Sequence, residues 1–544
     1  MIDRRRFVGM GALAGIAGRG AVGGGWSLAA AQDAPAVPGV IVETAAGKVR
    51  GASQRGVQAF KGVPYGASTA GEGRFQPPRK PQSWTGVRDA LVLGPRSPQL
   101  LSSFHGVVPP EVEVMDRNEP MSEDCLRLNV WTPGVRGGHP RPVMVWLHGG
   151  GYTSGSGGFI CYDGARLAER HDVVVITVNH RLSVLGYLYL AGLGGERYAR
   201  SSNLGNLDIV AALEWVRDNI AAFGGDPRNV TIFGQSGGGG KVSSLMAMPA
   251  AKGLFHRAIV ESGASIRGVS LEAAGRSTEM FLTRLDLKPS QVDALGQLPF
   301  ERLLAVTATS AGPPLALAPV VDGRTLPVNP FDPVAPAISA DVPLLIGTVE
   351  TEVTFFPRQI LDPIDEASLH AHLKQTLRHA SDAQVDEVIA AYRAGRPGAS
   401  NTDLYLIIAS DATFRAGVLT EAERKAAQGA APVYQYYFTW RSPVRGGKLR
   451  SFHTIEIPFV FDNVDACRSM VGSGEDRYAL ARKVSGAWVA FARTGDPNHP
   501  YLRGWVPYDN TRRATMILDD ECKLVDDPHG REQRLLQTII AARA

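Results

Sequence analysis

The run Val230-Thr-Ile-Phe-Gly-Gln-Ser-Gly-Gly-Gly-Gly240 constrains the fold more than any other stretch of the 544-residue chain. A β-branched and aromatic segment ends at Gly234. Gly234-Gln235-Ser236-Gly237-Gly238 then reads G-x-S-x-G, and Lys241 to Met248 reads as the start of a helix. Strand, sharp turn and helix in that order are what a nucleophile elbow requires. The flanking residues must be nearly side-chain-free, and glycine tolerates the backbone angles of such a turn. The serine hydroxyl is then presented at the carboxyl end of a strand, where the first amides of the helix stabilise negative charge. A phosphate-binding loop is excluded. Its pattern of Gly, four residues, then Gly-Lys-Ser/Thr would need Gly at Gln235 and Ser or Thr at Val242.

The same alternation of buried strands and helices extends along the chain. Val40–Val49 and Val57–Tyr65 read as short strands, and Gln76–Pro120 as Pro-rich and irregular. Leu126–Trp131 alternates as a strand. Val143–Leu147 and Val173–Val178 are continuous apolar runs, the mark of strands buried on both faces of a parallel sheet. Asn203–Phe223 carries a helical period through Ile209, Leu213, Val216 and Ile220 and stops at Gly224-Gly225-Asp226-Pro227. Ala258–Val260 and Leu344–Ile346 are later buried strands. The pattern is an α/β domain with a mostly parallel central sheet flanked by helices. Helical insertions are expected at about residues 270–320 and 360–430. Length alone would allow roughly three or four domains, but the motif order fits one domain over residues 32–544.

With 44% apolar residues the chain can bury a large core, and its charges nearly balance at 57 basic against 53 acidic. No basic run exceeds Arg4-Arg5-Arg6, so nothing points to nucleic acid. Cys125, Cys161, Cys467 and Cys522 are widely spaced with no C-x-x-C, which argues against a metal site or a disulfide scaffold. Residues 1–31 are expected to be a Tat-like signal peptide: twin arginines before Phe7-Val8, a weakly apolar stretch from Gly9 to Gly18 broken by Arg19, and Ala29-Ala30-Ala31 before Gln32. That reading puts the mature protein in the periplasm or outside the cell. No later run reaches the ~18 apolar residues of a membrane span.

A serine nucleophile needs a base, a group that orients the base, and donors for the oxyanion. His148-Gly149-Gly150-Gly151 follows directly on the strand Val143–Leu147 and matches the glycine loop of lipases and esterases. The amides of Gly150, Gly151 and Gly237 are the expected oxyanion donors. In an α/β-hydrolase the chain order is Ser, then Asp or Glu, then His. The strand end after Leu344–Ile346 carries Glu350 and Glu352, either of which could be the acid. His453 precedes the apolar run Ile455–Phe461, but order alone does not select it from twelve histidines.

These motifs resemble the type-B carboxylesterases, the family that includes para-nitrobenzyl esterases, mammalian carboxylesterases and cholinesterases. The likeness covers nearly all of residues 38–510. Glu123-Asp-Cys-Leu-Arg-Leu-Asn-Val-Trp-Thr-Pro133 matches the family's second signature. Asn203–Gly234 matches its N-x-G-x-x-D…A-L-x-W-V…F-G-G-D-P…V-T-x-F-G block. By motif position the resemblance places the triad acid on Glu352 and the base on His453, within H-x-x-E-x-P-F-V-F. It implies an α/β-hydrolase fold and a carboxylic ester hydrolase working through an acyl-enzyme, with no cofactor and no metal. The partner is a small-molecule ester, and the protein a monomer or homodimer.

Three departures from the family stand out. Gln235 replaces the usual glutamate before the nucleophile, which should weaken selection for cationic substrates and alter the protonation of the histidine. Ser97-Pro98-Gln99 replaces the cysteine that would pair with Cys125, so Cys125 is expected to be a free, buried thiol. The segment from 97 to Cys125 lacks the tryptophan with which cholinesterases bind choline. Gln235, Tyr152, Phe355 and Phe459 are the expected pocket residues. Lys241 is expected either to pair with a carboxylate or to favour anionic substrates. An amide, carbamate, lactone or polyester could be cleaved by the same machinery. A non-catalytic binding module of this fold would instead show a broken triad.

Overall fold

The computed structural model describes residues 37–54, 56–100, 114, 119–135, 138–308, 313–356 and 360–541. The expected signal segment lies outside them. Thirteen strands form one sheet: β1 (Val37–Thr44), β2 (Gly47–Gln54), β3 (Val57–Pro64), β4 (Val87–Asp89), β5 (Arg127–Thr132), β6 (Arg141–Leu147), β7 (Val174–Val178), β8 (Gly225–Gln235), β9 (Arg257–Glu261), β10 (Leu344–Val349), β11 (Val433–Phe438), β12 (Ala514–Leu518) and β13 (Lys523–Asp526). Their order is β1-β2-β3-β5-β7-β6-β8-β9-β10-β11-β12-β13, with β4 paired to β2. From β7 to β12 every neighbouring pair is parallel. The amino-terminal strands β1, β2, β3 and β5 pair antiparallel, as do β12 and β13.

The apolar runs that mark the parallel strands are explained by cover on both faces. Val143, Val145 and Leu147 of β6 point into one core with Ile176, Ile232 and Ile346, while Met144 and Trp146 point into another with Val175, Phe233 and Ile259. The helix Leu204–Asn219 packs Ile209, Leu213 and Val216 on the first face. The helix Asp476–Thr494 packs Leu480, Val484, Trp488 and Phe491 on the second. Each such side chain taken from water contributes about 1.5–3 kcal/mol before the entropy of ordering is counted.

β4, inside the stretch expected to be irregular, and β11, β12 and β13 were not among the strands expected from the sequence; the expected strand Val40–Val49 is divided between β1 and β2, and β8 begins at Gly225 where a breaker was expected. Asp226 precedes Pro227, which disfavours helical angles and leaves the segment extended. The helix after Ser236 starts at Gly237, not Lys241. Its first turn is all glycine because the backbone there has no room. A Cβ on Gly238 would lie 1.9 Å from the Leu147 carbonyl oxygen, and one on Gly237 would lie 2.1 Å from that of Gly151.

The N-x-G-x-x-D block is structural. Asn203 closes a ring with Val320, donating to its carbonyl at 2.9 Å and accepting from its amide at 2.8 Å. Gly205 lies where a side chain would meet the Arg181 carbonyl and the Tyr187 ring. Asp208 grips Arg181 through Nε at 2.8 Å and Nη2 at 2.6 Å, and accepts from its amide at 3.0 Å, both side chains being buried. Removing one member of a buried pair strands the other charge. Asp208→Ala is therefore expected to cost about 3–5 kcal/mol in urea unfolding. A loss within error of zero would show the pair to be dispensable.

Cys125 is buried and free, and burial pushes its thiol up to about 12. Among the described residues no helix is long and apolar enough to cross a membrane.

Candidate active site

Four segments leave the carboxyl ends of β6, β8, β10 and β11 on one edge of the sheet, where open α/β sheets hold their ligands. The first is the glycine loop His148–Gly151. The second is the elbow. Ser236 stands at φ 58°, ψ −125°, a conformation that costs a non-glycine residue of order 1–3 kcal/mol and clusters at functional sites. Its amide donates to the Glu261 carbonyl of β9 at 2.8 Å, and its carbonyl accepts from Gly240 at 3.0 Å. Gly263 lies against it so closely that a Cβ there would sit 1.8 Å from the Ser236 carbonyl oxygen. Ser236 and Gly237 remain half-buried although Gln235 and Gly238 on either side are buried. The ten-residue helix Gly237–Met246 points its amino terminus at the same spot, adding a positive dipole end.

The third and fourth segments meet. Glu352 opens the short helical turn Glu352–Phe355 after β10. Its Oε2 stands 2.5 Å from Nδ1 of His453, while Oε1 accepts from the Val349 amide at 3.0 Å. The His453 amide also donates to the Glu352 carbonyl at 3.3 Å. Both side chains are buried, so neither water nor counter-ions screen the pair. Glu350, two residues earlier, turns away: its Oε2 accepts from Arg441 at 3.0 Å and it lines a separate surface cleft with Trp440 and Asp519. The structure thus brings together Glu352 and His453, and leaves Glu350 out.

Gln235 is buried beneath His453. Its Nε2 lies 3.3 Å from each ring nitrogen, equidistant and so aimed at neither lone pair. Gly149 is packed against the same place, its Cβ direction meeting the Gln235 carbonyl at 3.1 Å and the Ser236 Cβ at 3.4 Å. Two further acids sit behind the histidine. Burial raises Glu261 to about 8, and Trp488 donates to it at 2.8 Å. Burial, then the nearby Glu352 and Glu261, holds Glu456 well above the usual carboxylate range.

Among the oxyanion candidates, Gly150 and Gly151 adopt φ of +85° and +60° and are exposed at the mouth of the loop. Among the described residues no carbonyl accepts from their amides or from that of Gly237. The remaining expected pocket residues divide. Phe355 is half-buried with its ring 5.7 Å from that of His453. Tyr152 packs edge-on to Tyr187 at 5.1 Å, and burial lifts its hydroxyl to about 12. Phe459 is a correction: it is wholly buried against Phe438 and Trp440, on the apolar side of the short helix Ile457–Val460, and walls no pocket. Lys241 does not pair with a carboxylate, one of its two expected roles; among the described residues its Nζ reaches two backbone carbonyls.

Sequence reasoning missed Phe356 and Phe414, whose rings lie 5.4 and 4.8 Å from that of His453. Phe414 is carried by a π-helical turn, Asp411–Arg415, between the helices Asn401–Ser410 and Ala416–Gln428. Such single turns recur at functional sites. Its ends are fixed by Tyr392 donating to Asp411 at 2.8 Å and by Arg415 lying 4.0 Å over Tyr437.

Residues 38–535 match the model of the carboxylesterase family. The para-nitrobenzyl esterase of Bacillus subtilis is 36% identical over 91% of this chain and 98% of its own, and the phenmedipham hydrolase of Pseudarthrobacter oxydans is 35% identical over 88% and 95%. A carboxylesterase structure from Geobacillus stearothermophilus, 38% identical, superimposes with a TM-score of 0.78 over 91% of this chain and 99% of its own. With the α/β-hydrolase sheet, the glycine loop and the elbow in place, this chain is an enzyme of the carboxylesterase family.

Proposed function

We propose that the enzyme hydrolyses carboxylic esters through an acyl-enzyme, with Ser236 as nucleophile, His453 as base and Glu352 as the acid that orients it. Ser236 Oγ attacks the ester carbonyl as its proton passes to Nε2 of His453. Glu352 fixes the Nδ1–H tautomer and stabilises the imidazolium. The amides of Gly150, Gly151 and Gly237 take the oxyanion. Collapse breaks the bond to the alkoxy oxygen, which leaves as the alcohol with the proton from His453. Water, deprotonated by the same imidazole, then attacks the acyl-enzyme, and Ser236 regains its proton. The observation that carries this reading is the buried Glu352–His453 pair on the same sheet edge as the strained Ser236.

The substrate class follows from what surrounds the histidine. His453 delivers a proton to the leaving alcohol, so groups beside its ring border the alcohol site. Those groups are Phe355, Phe356 and Phe414, with the neutral Gln235 beneath. Esters of aromatic or other apolar, uncharged alcohols fit that lining; a cationic alcohol gains no carboxylate partner. One solved relative, an esterase from Clostridium hathewayi that is 35% identical, can hydrolyse aliphatic aromatic polyesters.

A fluorophosphonate probe tests the chemistry. One adduct is expected, on Ser236 by mass spectrometry, with turnover of para-nitrophenyl acetate lost in step with labelling. Within one acyl series, kcat/KM is expected to rise from methyl to benzyl esters and to drop for the choline ester. An adduct elsewhere, or turnover surviving complete labelling of Ser236, overturns the mechanism. A preference for choline overturns the substrate class.

A further inference from the structure

We infer that Lys241 is a positioning residue of the oxyanion hole: from inside the core it clamps both ends of the glycine loop that supplies the donors. This rests on the ester-hydrolase reading above and assigns a new part to it. Lys241 is wholly buried on the first turns of the helix Gly237–Met246. Its Nζ donates to the His148 carbonyl at 3.0 Å and to the Gly151 carbonyl at 2.9 Å, and lies 5.5 Å from the centre of the Tyr152 ring. A buried cation without a carboxylate partner is costly, so its presence calls for a role in which the carbonyls are what matter.

Peptide geometry supplies that role. In a planar trans peptide the carbonyl of one residue and the amide N–H of the next point in opposite directions. Every carbonyl of the loop is hydrogen-bonded. His148 and Gly151 are held by Lys241, Gly149 by Nδ1 of His148 at 2.8 Å, and Gly150 by the amides of Thr153 and Ser154 at 3.3 and 3.1 Å. The amides of Gly150 and Gly151, left without a carbonyl partner among the described residues, lie between the two peptides that Lys241 grips. The Gly151 carbonyl also presses against Gly237, so the lysine sets the spacing between the loop donors and the elbow donor.

The surroundings keep the clamp unchallenged. His148 and His180 stack at 4.8 Å beneath the loop. Burial, with Lys241 nearby, lowers His148 to about 3 and His180 well below its usual value, so both are uncharged near neutrality. Burial also lowers Lys241 to about 7. The neutral amine retains two N–H donors, enough for both carbonyls.

Lys241→Met preserves the stem and deletes the donors. Loss of a single oxyanion donor costs about 10²–10³ in kcat; loosening the loop that carries two of them is expected to cost about 10²-fold, with KM within about twofold. Affinity for a trifluoromethyl ketone, which Ser236 converts to a tetrahedral oxyanion adduct, should fall by the same factor. Lys241→Gln, which keeps two N–H donors on a shorter stem, should lose less of both in the same ratio, and it carries the test if the Met variant does not fold. Unchanged kcat in either folded variant, or a kcat loss with ketone affinity intact, overturns the assignment. A native chain that turns over no ester overturns the ester-hydrolase reading itself, whereas native turnover with these results overturns only the role of Lys241.

Discussion

Ser236→Ala is expected to lower kcat for para-nitrophenyl acetate by about 10⁵–10⁶-fold while leaving the melting transition where it is. The size follows from the cooperation of nucleophile, base and acid: removing one disables the unit, and what survives is the oxyanion hole and binding. The unchanged melting follows from the site. Ser236 is held by backbone hydrogen bonds to Glu261 and Gly240, which alanine keeps, and its half-buried position leaves little packing to lose. Survival of more than about one per cent of the activity would put the nucleophile elsewhere.

The second large effect separates two neighbouring carboxylates. Glu352→Gln should lower kcat by about 10³–10⁴-fold, since an amide can present its N–H to Nδ1 and favour the wrong tautomer, and it cannot stabilise the imidazolium. Glu350→Gln should change kcat less than about threefold, because its partner is Arg441 on the other side of the strand end and a surface pair is worth about 0–1 kcal/mol. The cheap alternative, that either acid serves, predicts similar losses in both variants. Steady-state kinetics of the two single variants decides, and the reverse ranking moves the role to Glu350.

How far the sequence reached follows from what each residue needs of its neighbours. The elbow was legible because several glycines in a row are demanded by close backbone approaches, and few other structures demand them. The α/β sheet was legible because strands buried on both faces must be apolar throughout. Glu350 and Glu352 could not be parted by residue-level reasoning, since two carboxylates two positions apart at a strand end look alike until the turn Glu352–Phe355 sends one inward. Family likeness, not pattern, chose Glu352 and His453. Phe414 left no mark because a π turn between two helices keeps an ordinary helical composition. The carbonyl partners of Lys241 left no mark because carbonyl acceptors are invisible in a sequence, where only carboxylates advertise themselves. Phe459 was misplaced because an aromatic residue near a histidine serves a core as readily as a pocket.

The ladder that carries the site has a consequence for how this enzyme could change its substrates. The glycine loop, Ser236, Glu352 and His453 follow β6, β8, β10 and β11, strands that run within one hydrogen-bonded stretch at about 4.8 Å spacing. Of the aromatic rings beside His453, Phe355 and Phe356 come from the same turn as Glu352, whereas Phe414 comes from a helical segment outside the sheet. Moving or trimming that segment would therefore rewrite its part of the wall while the sheet strands keep their register. A single machine tool with interchangeable jaws is the architecture that results.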